Sequence, residues 1–413
     1  MSDLMSAFPA CAIDGPKAVG KTATASRLAA ATVRLDRPAE VAAFRQDPDR
    51  LSRLTRPLLI DEWQMYPPVW DLVRRSVDDG AGNGSFLLTG SATPRHAPRH
   101  SGAGRILHLR MRPFSLSERR IDTPTVSLGE LMTGDRPPIH GQSDADIQTY
   151  ADEITRGGFP RLRTVPTRFR RDAWDGYLSE VFNHDLPELG QSVRRPATLR
   201  NWMRSYAAAT STIASYTDIL DNACPNDTDK PAKATTLAWR EALGRMWLLD
   251  PLPAWGDPAH HLGRLASGQK HHLADPALAA HLLGVTAKTL LTSTNPTSFA
   301  IPVAGTLFGA LFESLVTQSI LVYASIIGIA VSHLRTRNGD HEIDLIASRD
   351  DGRIVAIEVK SSADIDRRDT RHLVWLRERM GEDVLDTVIV NTGPAAYRRD
   401  DGVAVVPASL LGI

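Results

Sequence analysis

Short apolar runs alternate with helix-like segments along the first third of the chain. The alanine-rich segment 22–31 contains no glycine or proline, and the segment 67–77 opens with two prolines and then repeats apolar residues at helical spacing. Strands that alternate with helices predict a parallel α/β sheet, which binds its ligand at the carboxyl ends of the strands. The predicted strands are residues 8–13, 32–35, 58–60, 85–92 and 104–109.

The pattern changes behind residue 120, where a loop-rich stretch with several prolines runs to about residue 148. Helical patterns then cover residues 198–209, 213–220 and 233–243, and a proline-bounded apolar segment follows them. Three helices and a strand in this order predict a winged-helix module. The third helix of such a module enters a DNA groove in some proteins, and in others the module binds protein.

The last third returns to a mixed pattern. An apolar helix is predicted at residues 305–318, strands at 341–346 and 354–362, a helix at 370–380 and a strand at 384–390. The whole chain is therefore predicted to be an α/β multidomain protein. Its predicted domains are residues 1–120, a linker and helical relay at 121–192, a winged-helix-like domain at 193–262 and an α/β domain at 263–413.

Composition narrows the setting without naming a function. The 413 residues carry a formal net charge of zero, so nucleic acid could be bound only by local basic patches. Two cysteines, Cys11 and Cys224, are too few for a disulfide framework and fit a reducing compartment. The longest apolar run, residues 319–332, is shorter than the ~20 residues of a membrane span. The protein is predicted to be cytoplasmic, with no membrane partner.

A glycine-rich loop between the first predicted strand and helix fits the pattern G-x-x-x-x-G-K-[ST]. The glycines allow the backbone to approach phosphates, the lysine would reach the β- and γ-phosphates, and the threonine hydroxyl would bind Mg²⁺. The flanking strand and helix favour this reading over a chance turn. The predicted ATP-binding residues here are Gly15, Pro16, Lys17, Ala18, Val19, Gly20, Lys21, Thr22 and Ala23.

Adjacent carboxylates follow the third predicted strand. Asp61 is predicted to bind Mg²⁺, and Glu62 is predicted to be the general base that polarises the attacking water. Lys21 and Glu62 are thus the predicted catalytic residues of this domain. An Asp-Glu pair behind a strand can also be a helix N-cap, but the phosphate loop about forty residues upstream favours catalysis.

Arginines are concentrated between residues 161 and 171, at positions 161, 163, 168, 170 and 171, without an acidic residue among them. Such a run could bind a phosphate backbone. The alternative is that these side chains pair with the acidic residues close by, such as Asp172, Asp175 and Glu180.

Four charged residues of the last third match the PD-(D/E)xK nuclease pattern, with Ile343 in place of the proline. Glu313 lies on an apolar helix, Asp344 lies on the predicted strand 341–346, and Glu358 and Lys360 share a face of the next strand. The three carboxylates are predicted metal ligands, and Lys360 is predicted to orient or activate water. A restriction-endonuclease-like fold is therefore expected. The alternative is a surface hairpin with ordinary charges.

Several segments resemble, in the same order, a large prokaryotic family of uncharacterised AAA-like ATP-binding proteins whose C-terminal half is a domain of unknown function. The resemblance extends over nearly the whole chain, and it implies the AAA-like P-loop fold and the winged-helix fold as expected features. The matching segments are residues 15–22, 59–64, 88–91, 104–105 and 113–118.

The resemblance also implies roles for individual residues. In AAA-type ATPases the polar residue behind the fourth strand senses the γ-phosphate, which here implies Thr89 or Ser91. Arg105 becomes a candidate for contact with nucleotide, in its own or a neighbouring subunit, and the alternative is a surface salt bridge.

The leading expectation is a Mg²⁺-dependent ATPase that couples its nucleotide state to the nuclease-like domain and acts on DNA. The first alternative is a nucleotide-gated, Mg²⁺-dependent DNA nuclease. The second is a non-catalytic regulatory or binding module of a defence or toxin–antitoxin-like system. The expected cofactors and partners are ATP, Mg²⁺, DNA, and a second copy or another protein.

Overall fold

The computed structural model describes most of the chain, namely residues 1–91, 102–191, 195–224, 230–256, 268–292, 306–336 and 339–413. Four predicted features lie outside the described residues: residue 92 as the end of the fourth predicted strand, the domain boundaries at 193 and 262, and residue 305 as the start of the apolar helix.

A parallel sheet forms the N-terminal part of the protein. Its strands are β1 (Ala10–Asp14), β2 (Ala31–Arg34), β3 (Leu58–Asp61), β4 (Phe86–Gly90) and β5 (Ile106–Arg110). The strand order is β2-β3-β4-β1-β5 and each neighbouring pair is parallel, which confirms the predicted parallel sheet. Because β3, β4 and β1 are consecutive in this order, their carboxyl ends lie side by side at one edge.

The described residues of this part form six α-helices. They are α1 (Ser2–Ala7), α2 (Lys21–Ser26), α3 (Pro38–Gln46), α4 (Arg50–Arg53), α5 (Pro68–Asp78) and α6 (Leu116–Arg119). Helix α2 is shorter than the predicted helix at 22–31. The backbone N–H groups of Ala30 and Ala31 donate to the carbonyl oxygen of Pro57, which draws this end of the segment into the sheet.

The middle of the chain is helical. Its helices are α7 (Leu128–Leu131), α8 (Ile147–Arg156), α9 (Pro160–Arg163), α10 (Arg170–Glu180), α11 (Leu186–Glu188), α12 (Pro196–Ala208), α13 (Tyr216–Ala223), α14 (Lys233–Arg245), α15 (Pro276–Leu283) and α16 (Ala287–Thr292). A π-helical turn, Val181–Asp185, joins α10 to α11. Behind α14 the backbone pairs antiparallel at Leu249–Leu273 and at Leu252–Lys270.

A second, mixed sheet forms the C-terminal part. Its strands are β7 (Gly141–Gln142), β8 (Ala330–Arg335), β9 (Glu342–Ser348), β10 (Ile354–Lys360), β11 (Val384–Asn391), β12 (Ala395–Arg398) and β13 (Ala404–Pro407). The order is β7-β12-β13-β11-β10-β9-β8. Helices α17 (Leu307–Ile327) and α18 (Arg367–Met380) pack on this sheet.

The segment predicted as a linker is paired with the C-terminal part. Strand β7 lies antiparallel to β12, with Gly141 opposite Ala396. Strand β6 (Val126–Ser127) lies parallel to β14 (Leu411–Gly412), the last strand of the chain. The polypeptide between α6 and α8 is therefore fixed by backbone hydrogen bonds to residues more than 250 positions later.

Helix α17 is long and apolar enough to cross a membrane by length and composition alone, and 67% of its most apolar window is buried inside the protein. The core helix of a soluble protein passes the same test. Helix α17 packs against the sheet strands β8 and β10 and against helices α8 and α15.

Candidate functional site

The phosphate loop joins the end of β1 to the start of α2. Gly15 has φ +155°, and a Cβ atom there would lie 2.3 Å from the carbonyl oxygen of Met111. Ala18 and Gly20 also have positive φ, +65° and +106°. A side chain at position 15 would collide with backbone, so the close turn requires glycine at this position.

Lys21 lies inside this loop and is only 6% exposed. Its ammonium donates to the carbonyl oxygens of Gly15, at 2.7 Å, and Pro16, at 2.8 Å. Burial lowers the pKa of Lys21 to about 8, against the opposing effect of Glu62, Asp14 and Asp61. The loop thus holds the desolvated Lys21 ammonium at the predicted phosphate position. A bound anion there would favour the charged form of Lys21.

Three predicted residues meet on one carboxylate oxygen. The hydroxyl of Thr22 donates to Oδ1 of Asp61 at 2.7 Å, and the hydroxyl of Thr89 donates to the same oxygen at 2.5 Å. Asp61 is 7% exposed and Thr89 is 1% exposed. The register explains the meeting, because Asp61 and Thr89 are direct partners at the carboxyl ends of β3 and β4. A hydroxyl and a carboxylate at this place are oxygen ligands of the kind that Mg²⁺ uses.

Glu62 follows Asp61 with a left-handed backbone, φ +55°. The hydroxyl of Ser91 donates to its Oε2 atom at 3.2 Å, and the amide nitrogen of Gln64 contacts the same oxygen. Gln64 also reaches Ser91 at 3.3 Å. Two neighbours therefore orient the carboxylate of the predicted base. Gln64 was not predicted as a site residue, although the matching segment 59–64 ends on it.

A further acidic side chain, from the helical middle of the chain, reaches the loop. Asp185, the last residue of the π-helical turn, is 5% exposed and forms an ion pair with Lys17. Burial alone would lower the pKa of Lys17, but the hydrogen bond and charge of Asp185 raise it above its usual value. No local motif marks Asp185, since it lies 168 positions from its partner.

Arg105 lies at the amino ends of the strands, whereas the phosphate loop lies at their carboxyl ends. It precedes β5, whose first residue pairs with Ala10 at the start of β1, whereas the loop follows the end of β1. Five residues of strand separate the two levels, on the order of 16 Å. The Arg105 guanidinium pairs instead with Asp78, Nε to Oδ1 at 2.8 Å. The structure therefore does not bring Arg105 to the phosphate loop of its own chain.

The residues of the predicted nuclease pattern gather beside β9 and β10. Asp344 accepts a hydrogen bond from the backbone N–H of Val359 at 2.9 Å, and Lys360 pairs with Glu358 at 2.8 Å. Burial and the charge of Asp344 raise the pKa of Glu358 to about 8. Burial and Asp344 also raise the pKa of Glu313 to about 8. These carboxyl groups therefore share one buried electrostatic environment.

Sequence reasoning missed the residue at the centre of this cluster. The ammonium of Lys270 lies 2.8 Å from Asp344, 3.0 Å from Glu313 and 3.3 Å from Glu342, and the residue is 1% exposed. Over the described ranges, no group of three or more His, Cys, Asp or Glu residues is placed to hold a metal ion. The predicted ligands Glu313 and Asp344 face an ammonium instead. Lys270 belongs to no motif, and only the fold brings it here.

Acid should destabilise the protein through a buried histidine near this cluster. His333 is 0% exposed, and its Nε2 atom lies 2.9 Å from the carbonyl oxygen of Gly268. Burial, and secondly the charge of Lys270, lowers the pKa of His333 to about 4. Between about pH 6.5 and that value the unfolded state binds more protons than the folded state, so the free energy of unfolding falls as pH falls.

We expect His333→Gln, which keeps a donor for Gly268, to reduce this loss by about 1–3 kcal/mol relative to the wild type over the interval. Urea unfolding from about pH 7 to pH 4.5 measures it. His184, whose side chain is 66% exposed, supplies the control His184→Gln, which should follow the wild type. Parallel pH curves for wild type and His333→Gln would contradict the assignment.

Comparison with known proteins agrees with the N-terminal geometry. Residues 7–119 match a family model described as an AAA domain. Residues 147–289 match a domain of unknown function (DUF8612), and residues 308–411 match another (DUF4143).

The chain is also 26% identical to uncharacterised proteins of Mycobacterium bovis and Mycobacterium tuberculosis, over 97% of this chain and 80% of each relative. These matches confirm the AAA-like part of the predicted resemblance and the unknown function of the C-terminal part. The chain therefore carries an AAA-like, nucleotide-binding P-loop domain at its N-terminal end, followed by two domains of unknown function.

Proposed function

We propose that the protein is a Mg²⁺-dependent ATPase of the AAA-like class that couples its nucleotide state to the C-terminal domain. The observation that carries the proposal is the single oxygen of Asp61 that accepts from both Thr22 and Thr89. It joins the phosphate loop, the acidic strand and the fourth strand at one point. The AAA match over the same residues supports this assignment.

Each residue has a distinct task in this proposal. Lys21 and the loop backbone bind the phosphates, while Thr22 and Asp61 hold Mg²⁺. Bound Mg²⁺ supplies neutralisation of the phosphate charge. Glu62, held by Ser91 and Gln64, accepts a proton from the attacking water. The loop residues fit the phosphates of ATP. The buried Lys21 ammonium offers a positive charge, and the glycine at position 15 lets a polyanion approach the backbone closely.

Direct contacts supply a physical basis for the coupling. Arg110 and Arg112, at and just behind the carboxyl end of β5, each lie 2.7 Å from the carboxylate of Asp250. Asp250 is 6% exposed, so this pairing is shielded from solvent. A movement of the carboxyl end of β5 would therefore be transmitted through these ion pairs to the antiparallel backbone pair behind α14.

The test is nucleotide binding by Lys21→Ala. Loss of a charge-assisted contact worth about 1.5–3 kcal/mol should weaken affinity for Mg²⁺·ATP by about 10–100-fold, measured with a fluorescent ATP analogue. The control Lys288→Ala removes an exposed lysine of α16 and should bind as the wild type does. Equal affinities for Lys21→Ala and wild type would refute the nucleotide site. ATP turnover with and without DNA then tests whether DNA is the coupled partner.

The DNA partner, the winged helix and oligomer formation stay proposals. Helices α12 to α14 and the antiparallel pair behind them have the order expected of a winged helix. On α14, Lys233 is exposed, whereas the Arg240 guanidinium lies 4.0 Å above the ring of Tyr216. From its place at the amino ends of the strands, Arg105 would contact nucleotide only in a neighbouring subunit. We propose a cytoplasmic location.

A second candidate function is a nucleotide-gated, Mg²⁺-dependent DNA nuclease, favoured by the buried carboxyl groups of Asp344 and Glu358 beside Lys360. Mg²⁺-dependent nicking of plasmid DNA that disappears in Lys360→Ala would establish it. A non-catalytic regulatory or binding module of a defence or toxin–antitoxin-like system is the remaining alternative, and the absence of both ATP turnover and nicking would favour it.

A further inference from the structure

Lys270 is held from three sides in the C-terminal carboxylate cluster. Asp344 and Glu342 come from β9, and Glu313 comes from α17, which packs against that sheet. Burial alone would lower the pKa of Lys270, but these three charges raise it well above its usual value. The side chain is thus a fully charged ammonium at a place that its own hydrophobic surroundings would disfavour.

The carboxylates outnumber the cations that face them. Lys270 and Lys360 are opposed by Glu313, Glu342, Asp344 and Glu358, and Arg335 pairs with the half-exposed Glu342. The four carboxyl groups supply more oxygen atoms than the two ammonium groups contact, and oxygen atoms of this kind are the ligands of a hard divalent cation.

An orphaned oxygen gives an independent indication of a missing cation contact. Oε1 of Glu358 accepts from Lys360, but its Oε2 atom is buried and has no hydrogen-bond partner among the residues that the structure describes. Glu358 is 7% exposed, and leaving such an acceptor unpaired is costly. A divalent cation among these carboxylates would give this oxygen a ligand role.

We propose that the Lys270 ammonium occupies the cation position of this cluster and competes with a divalent metal ion for the same carboxylates. The C-terminal site is then closed by an internal lysine, and it accepts metal only when Lys270 leaves. The inference rests on the second candidate function in one respect only, namely that the competing cation is a divalent metal ion. Its test measures metal binding, so it can fail while ATP hydrolysis or DNA cleavage stands.

The backbone around Lys270 shows what holds the lysine in place. Its N–H and C=O both bond to Leu252, at 3.0 and 2.9 Å, and the N–H of Asp250 donates to the carbonyl of His272 at 2.9 Å. Asp250 forms ion pairs with Arg110 and Arg112 of the nucleotide domain. The closing lysine is therefore two residues away from a segment anchored directly to that domain.

The experiment is a titration of the full-length protein with Mn²⁺, without nucleotide, followed by electron paramagnetic resonance. Lys270→Met should bind Mn²⁺ at least about tenfold more tightly than wild type, because the competing ammonium is gone. Adding Glu358→Gln to Lys270→Met should abolish the gain, which assigns it to this cluster. Equal Mn²⁺ affinity in wild type and Lys270→Met would overturn the proposal.

Removing one charge of a buried cluster can prevent folding. The charge-balanced double variant Lys270→Met with Glu313→Gln then replaces the single one, with the same expectation of tighter Mn²⁺ binding than wild type. The wild type supplies a test that needs no Lys270 variant. Tight Mn²⁺ binding by wild type that Glu358→Gln removes would show that Lys270 does not close the site.

Discussion

Replacing Glu62 with glutamine is expected to lower kcat for ATP hydrolysis by about 10²–10⁴-fold, because the variant cannot accept a proton from the attacking water. Nucleotide affinity should change little, since glutamine has the same shape and Glu62 is not assigned a phosphate or Mg²⁺ contact. Hydrolysis is measured by phosphate release under saturating ATP, and affinity by the binding assay used for Lys21→Ala. The two readouts separate the general base from the residues that bind nucleotide.

The control is Glu180→Gln, which changes a glutamate whose side chain is 70% exposed on α10. It should hydrolyse ATP as the wild type does. Undiminished turnover in Glu62→Gln would show that another group activates the water. The neighbouring Gln64 would then be examined next, because it contacts both Glu62 and Ser91.

Replacing Arg119 with alanine is expected to lower the free energy of unfolding by about 3–5 kcal/mol, the usual effect of breaking a buried ion pair. The Arg119 side chain is fully buried and donates to Phe114 and Glu153 carbonyl oxygens, each at 2.9 Å, to the Glu153 carboxylate at 3.2 Å and to Gln318 at 3.3 Å. It therefore ties α6 to α8 and to α17. Its loss would leave Glu153 with one close guanidinium, that of Arg163.

Urea unfolding followed by tryptophan fluorescence measures the effect on the transition that includes these helices. The same carboxylate supplies a matched control. Arg156 lies 3.9 Å from Glu153 with 43% of its side chain exposed, so Arg156→Ala should cost less than about 1 kcal/mol. If both variants lost similar stability, burial of Arg119 would not be the cause.

The nucleotide site was predictable because its information is local. Strand, glycine loop and helix follow one another in the chain, and the alternation of strands and helices places Asp61 and Thr89 at the same edge. Arg105 was a candidate for contact with nucleotide in its own chain, but the structure does not bring it to the phosphate loop. Strand β5 runs parallel to β1 and residue 105 precedes it, so Arg105 lies at the amino ends of the strands, away from the phosphate loop.

Lys270 and Asp185 could not be predicted in the same way. Each is a single charged residue in an ordinary segment, and each acquires its role from a partner far along the chain, Asp344 and Lys17. Periodicity and motifs report on neighbours in sequence, whereas these contacts depend on how helices and sheets dock. The nuclease pattern therefore revealed the carboxylates without revealing the ammonium among them.

The strands β6 and β7 make the first half of the chain depend on the C-terminal part for its backbone pairing. They lie about one third of the way along the chain, yet they pair with β14 and β12 near its end. A gene fusion that added or removed the C-terminal part as a separate block would leave these strands without partners. The relatives that align across 97% of the chain match both the segment that contains these strands and the C-terminal part.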